Sequence, residues 1–379
     1  MLSQIDKLRS YLGMGLQKFL GLQTFELAYL GVLAVLPWIV VQPLIYKTII
    51  SIAAIIIVNA IYQKLTFRKV NIENKFVFIT GCDSGFGNAV ARRLCGEGFS
   101  VLAGCYSLDS PGAKKLRSEY SKVQLVELDI TDDSSVDKAV SDVENAVKDK
   151  GLWALINNAG VYGVGDVEFS PLDEYRRLAE VNLFGLIRVT KQFIPLIRKS
   201  KGRIVNLTSN KGKIGIPSNS AFCMTKYGQE GFTDALRMEM KKFGVHVITV
   251  EPGNFTGSTA MLGRNTIGKY ESELNKMWQN STKGVKDTYG KQYIDGMYKS
   301  VKDYAAKSCS TMGPVVDTIE VAVIAKQPKI RYLVDGGNGL FDPDNLLIRL
   351  SHYLPEYFIH YFIDRTHRSG TVLPKEKTE

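Results

Sequence analysis

Histidine is scarce in this chain, four among 379 residues, and no histidine or cysteine pair stands at metal-ligand spacing, so a zinc site has nothing to be built from. Metal-dependent chemistry is therefore not expected. The five cysteines, Cys82, Cys95, Cys105, Cys223 and Cys309, are an odd number at irregular spacings, which excludes a disulfide framework. Blocks of like charge are missing too: the net charge of +10 is spread as lysines and arginines among acids, with no nucleic-acid-binding motif beside them. Nucleic acid is thus not an expected partner, and the basic balance suits a surface resting against anionic lipid headgroups. What is present, 45% hydrophobic residues and 34 glycines, is the make-up of a loop-rich domain with one large core and an appendage.

Charge is also absent from residues 27–46, a stretch that as a helix spans about 30 Å at roughly 1.5 Å per residue, the thickness of a hydrocarbon core. Lys47 alone separates it from a second uncharged stretch, residues 48–62, which lengthens a tilted span, returns as the arm of a hairpin or lies in the interface. Pro37 and Pro43 predict a kink. Residues 27–62 are read as a membrane segment with membrane lipid as a partner, ahead of a cleaved signal peptide, a mitochondrial presequence and a buried soluble hairpin. Residues 1–26 form an amphipathic approach to it, with Leu2, Ile5, Leu8, Leu12, Leu16 and Phe19 near one helical face beside Lys7, Arg9 and Lys18. The endoplasmic reticulum is the first expected location and a mitochondrial membrane the second. Basic residues stand on both sides of the apolar zone, so the positive-inside rule sets no orientation.

From Lys75 the pattern changes to short apolar runs alternating with helical periodicity, which predicts an α/β domain, a doubly wound parallel sheet of Rossmann type, over residues 72–340. Residues 76–79 read as a buried strand that runs into Thr80-Gly81-Cys82-Asp83-Ser84-Gly85-Phe86-Gly87 and then a helix over 88–95. Glycine is needed there because the backbone must turn sharply and meet a pyrophosphate without a Cβ, while the amides of a helix N-terminus point at the anion. Alone, such a match is weak; the strand before it and the helix after it make it a dinucleotide site. A strand over 101–103 ends at Gly104-Cys105-Tyr106, with neither the acid that grips an adenosine ribose nor the arginine that favours a 2′-phosphate. Asp83 inside the loop would repel that phosphate, so NAD is expected ahead of NADP, with Asp109 a second ribose candidate. A strand over 125–128 leads to Asp129, placed to accept from the adenine amino group or to cap a helix. Val136, Val140, Val143 and Val147 recur at helical spacing as core. Residues 153–156 deliver Asn157-Asn158-Ala159-Gly160 at a strand's carboxyl end, where open α/β sheets bind ligands. Ser170-Pro171 reads as the cap and first position of a long helix containing Asn182, which is either a buried packing amide or a functional one.

Taken in order, residues 80–87, residues 157–160, Ser209, Lys226 and Pro252-Gly253 resemble the short-chain dehydrogenase/reductase family over nearly all of residues 72–340. The stretches TGCDSGFG, GLWALINNAG, VEFSPLDEYRRLAEVNLFG, FIPLIRKSKGRIVNLTS and VEPGNF are similar to the branch that holds D-β-hydroxybutyrate dehydrogenase, retinol dehydrogenases and type 2 17β-hydroxysteroid dehydrogenase. The resemblance implies catalytic roles for Asn182, Ser209 and Lys226. It implies cofactor contacts from Thr80, Gly81, Asp83, Ser84, Gly85, Phe86, Gly87, Asp129, Asn158, Ala159, Gly160 and Lys226, with Pro252 and Gly253 closing over the nicotinamide. The family's tyrosine does not carry over: four residues before Lys226 stands Phe222.

Alcohol oxidation by hydride transfer needs a base for the hydroxyl proton, and in this family a phenolate takes it, its pKa drawn down from about 10 by a nearby ammonium. Phenylalanine fills the space and exchanges no proton, a loss worth typically about a hundredfold to ten-thousandfold. Three readings stand. The leading one is a membrane-anchored NAD-dependent oxidoreductase acting on a hydroxyl or keto group of a lipophilic substrate such as a steroid or retinoid, with a substitute proton path through Ser209, water or Tyr162. The second is a pseudoenzyme that keeps dinucleotide binding for a structural or regulatory use, and the third is an engineered Tyr→Phe change. Tyr227, five residues from Phe222, is rotated off that helix face.

Residues 254–331 are expected to form the substrate lid, with Trp278 and Tyr289 as core aromatics. A small hydroxy acid would need a cationic clamp that the sequence does not identify. Over residues 341–368, Leu346, Leu347, Leu350, Tyr353, Leu354, Tyr357 and Phe358 make an amphipathic helix, broken near Pro355, that suits the bilayer, the second subunit of a homodimer or the domain's own core. Residues 369–379 are a polar tail.

Overall fold

The computed structural model describes residues 32, 35, 41–42, 45–58, 67–263, 265–339 and 341–367. It divides into two units, Met1–Arg68 and Lys69–Glu379. In the first, residues 45–58 are helical, and among the described residues no helix is long and apolar enough to cross a membrane. The amphipathic approach over 1–26, most of the membrane segment expected over 27–62 and the tail over 369–379 lie outside the described residues.

The second unit is built on seven parallel strands: β1 (Phe76–Thr80), β2 (Ser100–Cys105), β3 (Val123–Glu127), β4 (Ala154–Asn157), β5 (Arg203–Leu207), β6 (His246–Pro252) and β7 (Arg331–Val334). Their order across the sheet is β3-β2-β1-β4-β5-β6-β7. The helices of this unit are α1 (Gly85–Glu97), α2 (Pro111–Glu119), α3 (Asp133–Val147), α4 (Leu172–Ala179), α5 (Leu186–Ser200), α6 (Ser220–Lys241), α7 (Ile267–Asn280), α8 (Lys283–Tyr289), α9 (Lys291–Ala306), α10 (Gly313–Ile324), α11 (Pro343–Leu350) and α12 (Glu356–His367).

Side chains alternate across a strand, so β1 sends Val77 and Ile79 to one face of the sheet and Phe78 to the other. Val77 and Ile79 join a core with Leu94 of α1, Leu116 of α2 and Ile319 of α10. Phe78 joins a second core with Val136 and Val143 of α3, Phe193 of α5 and Leu236 of α6. There the rings of Phe78 and Phe193 stack with centroids 4.6 Å apart. Both faces are covered, which explains why the strands read as continuous apolar runs rather than as alternating ones.

Two local expectations are corrected. The long helix does not begin with a Ser170 cap and Pro171 in its first turn; Pro171 itself is the extended N-cap residue, with no side-chain cap, and α4 starts at Leu172. Ser170 is instead drawn back by its amide, which donates to the Asp166 carbonyl. The cap of α3 is Asp132, whose carboxylate accepts from the amides of Ser134 and Ser135, so the capping alternative for Asp129 falls away. The four cysteines Cys82, Cys95, Cys105 and Cys223 are buried thiols and Cys309 is partly buried, all of them free.

The C-terminal pattern becomes two helices, α11 and α12, separated around Pro355. Leu347, Ile359 and Ile363 pack on Ile214 and Ile216, while Tyr353, Tyr357 and Phe358 remain exposed. This packing sets the last helix beside the loop that follows β5.

Candidate active site

The strand order reverses between β1 and β4, so the loops leaving the carboxyl ends of these neighbours flank one crevice. From β1 the chain enters Gly81 and Gly85, whose φ angles of 73° and 59° are left-handed. Ser84 at the N-cap of α1 makes no side-chain hydrogen bond to the helix, and the first turn carries no acid. A Cβ on Gly85 would meet nothing nearer than Thr259 Cβ at 3.9 Å. Uncapped amides beside open glycine backbone fit a diphosphate. Gly87 is different in kind: a Cβ there would lie 2.3 Å from the Gly81 carbonyl oxygen and 2.5 Å from Asn158 Nδ2.

The second loop holds the first in shape. Asn158 Nδ2 donates to the carbonyls of Thr80 at 2.8 Å and Gly81 at 3.1 Å, while the amides of Asn158 and Ala159 both donate to Thr80 Oγ1 at 3.0 Å. Asn157 is a buried packing amide that donates to Thr190 Oγ1 and Asn206 Oδ1, tying β4 to β5. Phe86 packs edge-on against Phe255, with centroids 5.9 Å apart, so the glycine loop also leans on the loop after β6.

The sequence showed no acid at the end of β2, yet a carboxylate stands there. Asp83 reaches across from the glycine loop and accepts from the amides of Tyr106 at 2.9 Å and Ser107 at 3.0 Å. Asp109 instead faces Lys114 at 3.2 Å and is largely exposed. Asp129 is half-buried at the end of β3, with Oδ1 accepting from the amide and hydroxyl of Thr131.

At the end of β5, Ser209 is buried at the N-cap of a short turn over Asn210–Gly212; its Oγ accepts from the Lys211 amide at 3.2 Å and donates to Asn210 Oδ1 at 3.3 Å. Lys226, buried on α6, donates to the Leu207 carbonyl at 3.2 Å and to Gln229 Oε1 at 3.0 Å. Burial pushes its pKa down from 10.5 to about 8. Gln229 Nε2 in turn donates to the backbone carbonyl of Asn182. That carbonyl lies where the helix widens into a π turn over Glu180–Gly185, a local unwinding frequent at functional sites. The Asn182 amide bridges the Val161 amide and carbonyl at 2.8 and 2.9 Å and reaches Thr225 Oγ1 at 3.2 Å. Lys226, Gln229 and Asn182 therefore form one polar chain, in which the Asn182 side chain packs while its carbonyl serves the lysine.

Phe222 occupies the face beside Lys226, whose Nζ is 5.5 Å from the ring centroid. Tyr162 packs edge-on against Phe222 with centroids 4.9 Å apart, and its hydroxyl donates to Asn219 Oδ1. Burial raises the Tyr162 pKa, so the phenol holds its proton. Beyond them lies an open cavity of about 1410 Å³, lined among others by Tyr162, Lys211, Asn219, Asn254, Tyr304 and His367. Pro252 ends β6, and a Cβ on Gly253 would fall 2.0 Å from Asp342 Oδ2, which accepts from the amides of Asn254 at 3.2 Å and Gly336 at 3.0 Å. Among the described residues no group of three or more histidines, cysteines or acids could hold a metal ion.

Sequence reasoning missed Gln229, Lys211, Tyr304 and Asp342. Gln229 left a usable signal, since it follows Lys226 by three residues on a helix and so shares its face. Tyr304 and Asp342 left none, because they reach the site only through the fold.

A family model described as short chain dehydrogenase matches residues 75–268. The chain is 42% identical over 266 residues to a mitochondrial D-beta-hydroxybutyrate dehydrogenase of Bos taurus, an alignment covering 69% of this chain and 77% of that one. It is 40% identical over 299 residues to the 17-beta-hydroxysteroid dehydrogenase type 6 of Bos taurus, covering 78% and 90%. To retinol dehydrogenase 7 of Mus musculus it is 37% identical over 266 residues, covering 69% and 81%. A short-chain dehydrogenase from Streptomyces avermitilis, at 22% identity, shares the fold with a TM-score of 0.59 over 79% of this chain and 99% of that one. The chain belongs to the short-chain dehydrogenase/reductase family, in the branch of these hydroxybutyrate, 17-beta-hydroxysteroid and retinol dehydrogenases.

Proposed function

We propose that this protein is a membrane-anchored, NAD(H)-dependent oxidoreductase that interconverts a hydroxyl and a keto group on a lipophilic small molecule. One observation carries the reading: an uncapped glycine loop leaves the carboxyl end of β1, the buried Lys226 donates to the Leu207 carbonyl at the carboxyl end of β5, and a cavity of about 1410 Å³ opens past Phe222 at Tyr162. A bound nicotinamide dinucleotide supplies or takes up the hydride. The amides of residues 84–87 hold its diphosphate, and Thr80 with Asn158 keeps that loop in register. The Asp83 carboxylate repels a 2′-phosphate and so favours NAD over NADP. Lys226, steadied by Gln229, donates to the nicotinamide ribose, and the Ser209 hydroxyl orients the substrate oxygen.

The cavity is larger than a four-carbon acid fills, and its wall includes Tyr162, Ile216, Met297 and Phe341, which supports a steroid- or retinoid-sized substrate. Anchoring rests on the uncharged residues 27–46, with the endoplasmic reticulum as the first location; the mitochondrial name of one relative keeps that membrane as the second. The observation that favours the rival, a silent dinucleotide-binding protein, is that the ring 5.5 Å from Lys226 Nζ is that of Phe222, which carries no hydroxyl. Turnover of retinaldehyde, a 17-ketosteroid and acetoacetate by wild type and Phe222→Tyr separates the two. Reduction by wild type supports the enzyme; reduction by the variant alone supports the silent form.

A further inference from the structure

We propose that Tyr304, backed by Lys211, replaces the hydroxyl that Phe222 lacks and donates the proton in carbonyl reduction. This rests on the reading above that the chain moves a hydride, and it names the acid that such a site still needs.

The other candidates are already engaged. The Ser209 hydroxyl is taken up in orienting the substrate oxygen in the reading above, and the Tyr162 hydroxyl donates to Asn219 Oδ1. Tyr304 is placed otherwise. It comes from α9, lines the cavity, and its hydroxyl oxygen accepts from Lys211 Nζ at 2.7 Å. Because the ammonium occupies a lone pair of that oxygen, the phenol's own hydrogen is directed elsewhere, and among the described residues no protein atom accepts it. Lys211 is itself buried, and among the described residues no carboxylate lies within ion-pair distance of it.

Two hydrogen bonds tie Tyr304 and its lysine to the loops that leave β5 and β6. The Lys211 amide is held by Ser209 Oγ at 3.2 Å, so the ammonium and the catalytic serine share one short turn. On the other side, the Tyr304 carbonyl accepts from Asn254 Nδ2 at 2.8 Å, one residue past Pro252-Gly253. Tyr304 is thus held by its hydroxyl to Lys211 of the serine loop and by its backbone carbonyl to the loop expected over the nicotinamide.

Its charged surroundings choose the direction of the chemistry. Burial and the nearby carboxylates of Asp344 and Asp342 raise the Tyr304 pKa well above 10, so the phenol stays protonated. Asp344 is tied to His367 at 2.9 Å. A neutral phenol is an acid for reduction and a poor base for oxidation. With a reduced nicotinamide dinucleotide bound as the hydride source, hydride would reach the carbonyl carbon and the π pair would move to the oxygen. That oxygen takes the Tyr304 proton, the phenolate takes one from the Lys211 ammonium, and the neutral amine regains one from water in the open cavity.

The test uses the full chain with NADH and two probes, retinaldehyde and androstenedione, in wild type, Tyr304→Phe and the Phe222→Tyr/Tyr304→Phe double variant. Tyr304→Phe keeps the ring, so melting temperature and NADH affinity should hold while kcat falls about a hundredfold or more. Phe222→Tyr should restore at least tenfold of it, which a structural loss would not allow. A readout without turnover is calorimetric binding of the ketone to the NAD⁺ complex, which cannot react. There Tyr304→Phe should weaken binding roughly two- to tenfold, the worth of one hydrogen bond. An unchanged kcat or ketone affinity in Tyr304→Phe overturns the proposal, as does a wild type that binds NADH and reduces neither ketone. A wild type that binds no NADH overturns the underlying reading instead.

Discussion

Gly87 and Gly96, both on α1, should respond oppositely to the same added methyl group. Gly87 sits in the first turn, where a Cβ would stand 2.3 Å from the Gly81 carbonyl oxygen and 2.5 Å from Asn158 Nδ2. Ordinary contact is roughly 1 Å longer, and neither neighbour is a flexible side-chain end: one is backbone and the other is fixed by bonds to Thr80 and Gly81. Overpacking of this kind costs about 1–3 kcal/mol, against a gain of about 0.5–1 kcal/mol for alanine over glycine in a helix, so Gly87→Ala loses stability on balance. The displaced loop also loses amides aimed at the diphosphate. Hydrogen bonds to a charged group are worth about 1.5–3 kcal/mol each, so NADH affinity should fall by about tenfold or more. At Gly96 an added methyl would have nothing within 4 Å, so Gly96→Ala should gain about 0.5–1 kcal/mol and leave NADH affinity alone. Urea denaturation and NADH fluorescence titration read both variants. Wild-type affinity in Gly87→Ala would refute the idea that this loop closes around the diphosphate.

Three further substitutions probe buried charge. Since burial lowers the Lys226 pKa from 10.5 to about 8, the native state sheds its proton first and the unfolded chain binds more protons between those values. Wild type should therefore gain about 3 kcal/mol relative to Lys226→Met as pH rises from 8 to 10.5, in denaturation curves taken across that window, and parallel curves would count against a buried ammonium. Arg331 joins Glu230, Glu251 and Asp234 and so ties α6 to β6 and β7, with Glu230 and Glu251 both buried. Arg331→Met should cost about 3–5 kcal/mol by leaving those acids with Lys213, and adding Glu230→Gln should return part of the loss, both read by urea denaturation.

Much of the sheet was legible because strands such as β1, β2 and β4 are buried on both faces and therefore wrote compact apolar runs into the sequence. Residues 76–79 fall within β1 and residues 125–128 overlap β3, and the glycine loop follows β1 as expected. What depends on tertiary contact was not legible. The acid at the end of β2 is Asp83, from the loop that leaves β1, because that loop folds it across to the Tyr106 and Ser107 amides. A cap written as Ser170-Pro171 shifted because Asp166 competes for the Ser170 amide. Tyr304 and Asp342 reach the crevice from beyond the sixth strand, and no local pattern marks a residue whose partners, Lys211 and Asn254, lie so far back along the chain. Phe222 was legible only as a departure, since one missing hydroxyl leaves helix periodicity untouched.

If the loop after β1 grips a dinucleotide, titrating the full chain with NADH should give a saturable, blue-shifted rise in nicotinamide emission that excess ADP-ribose removes. Emission that stays at the value of free NADH across the titration would contradict it.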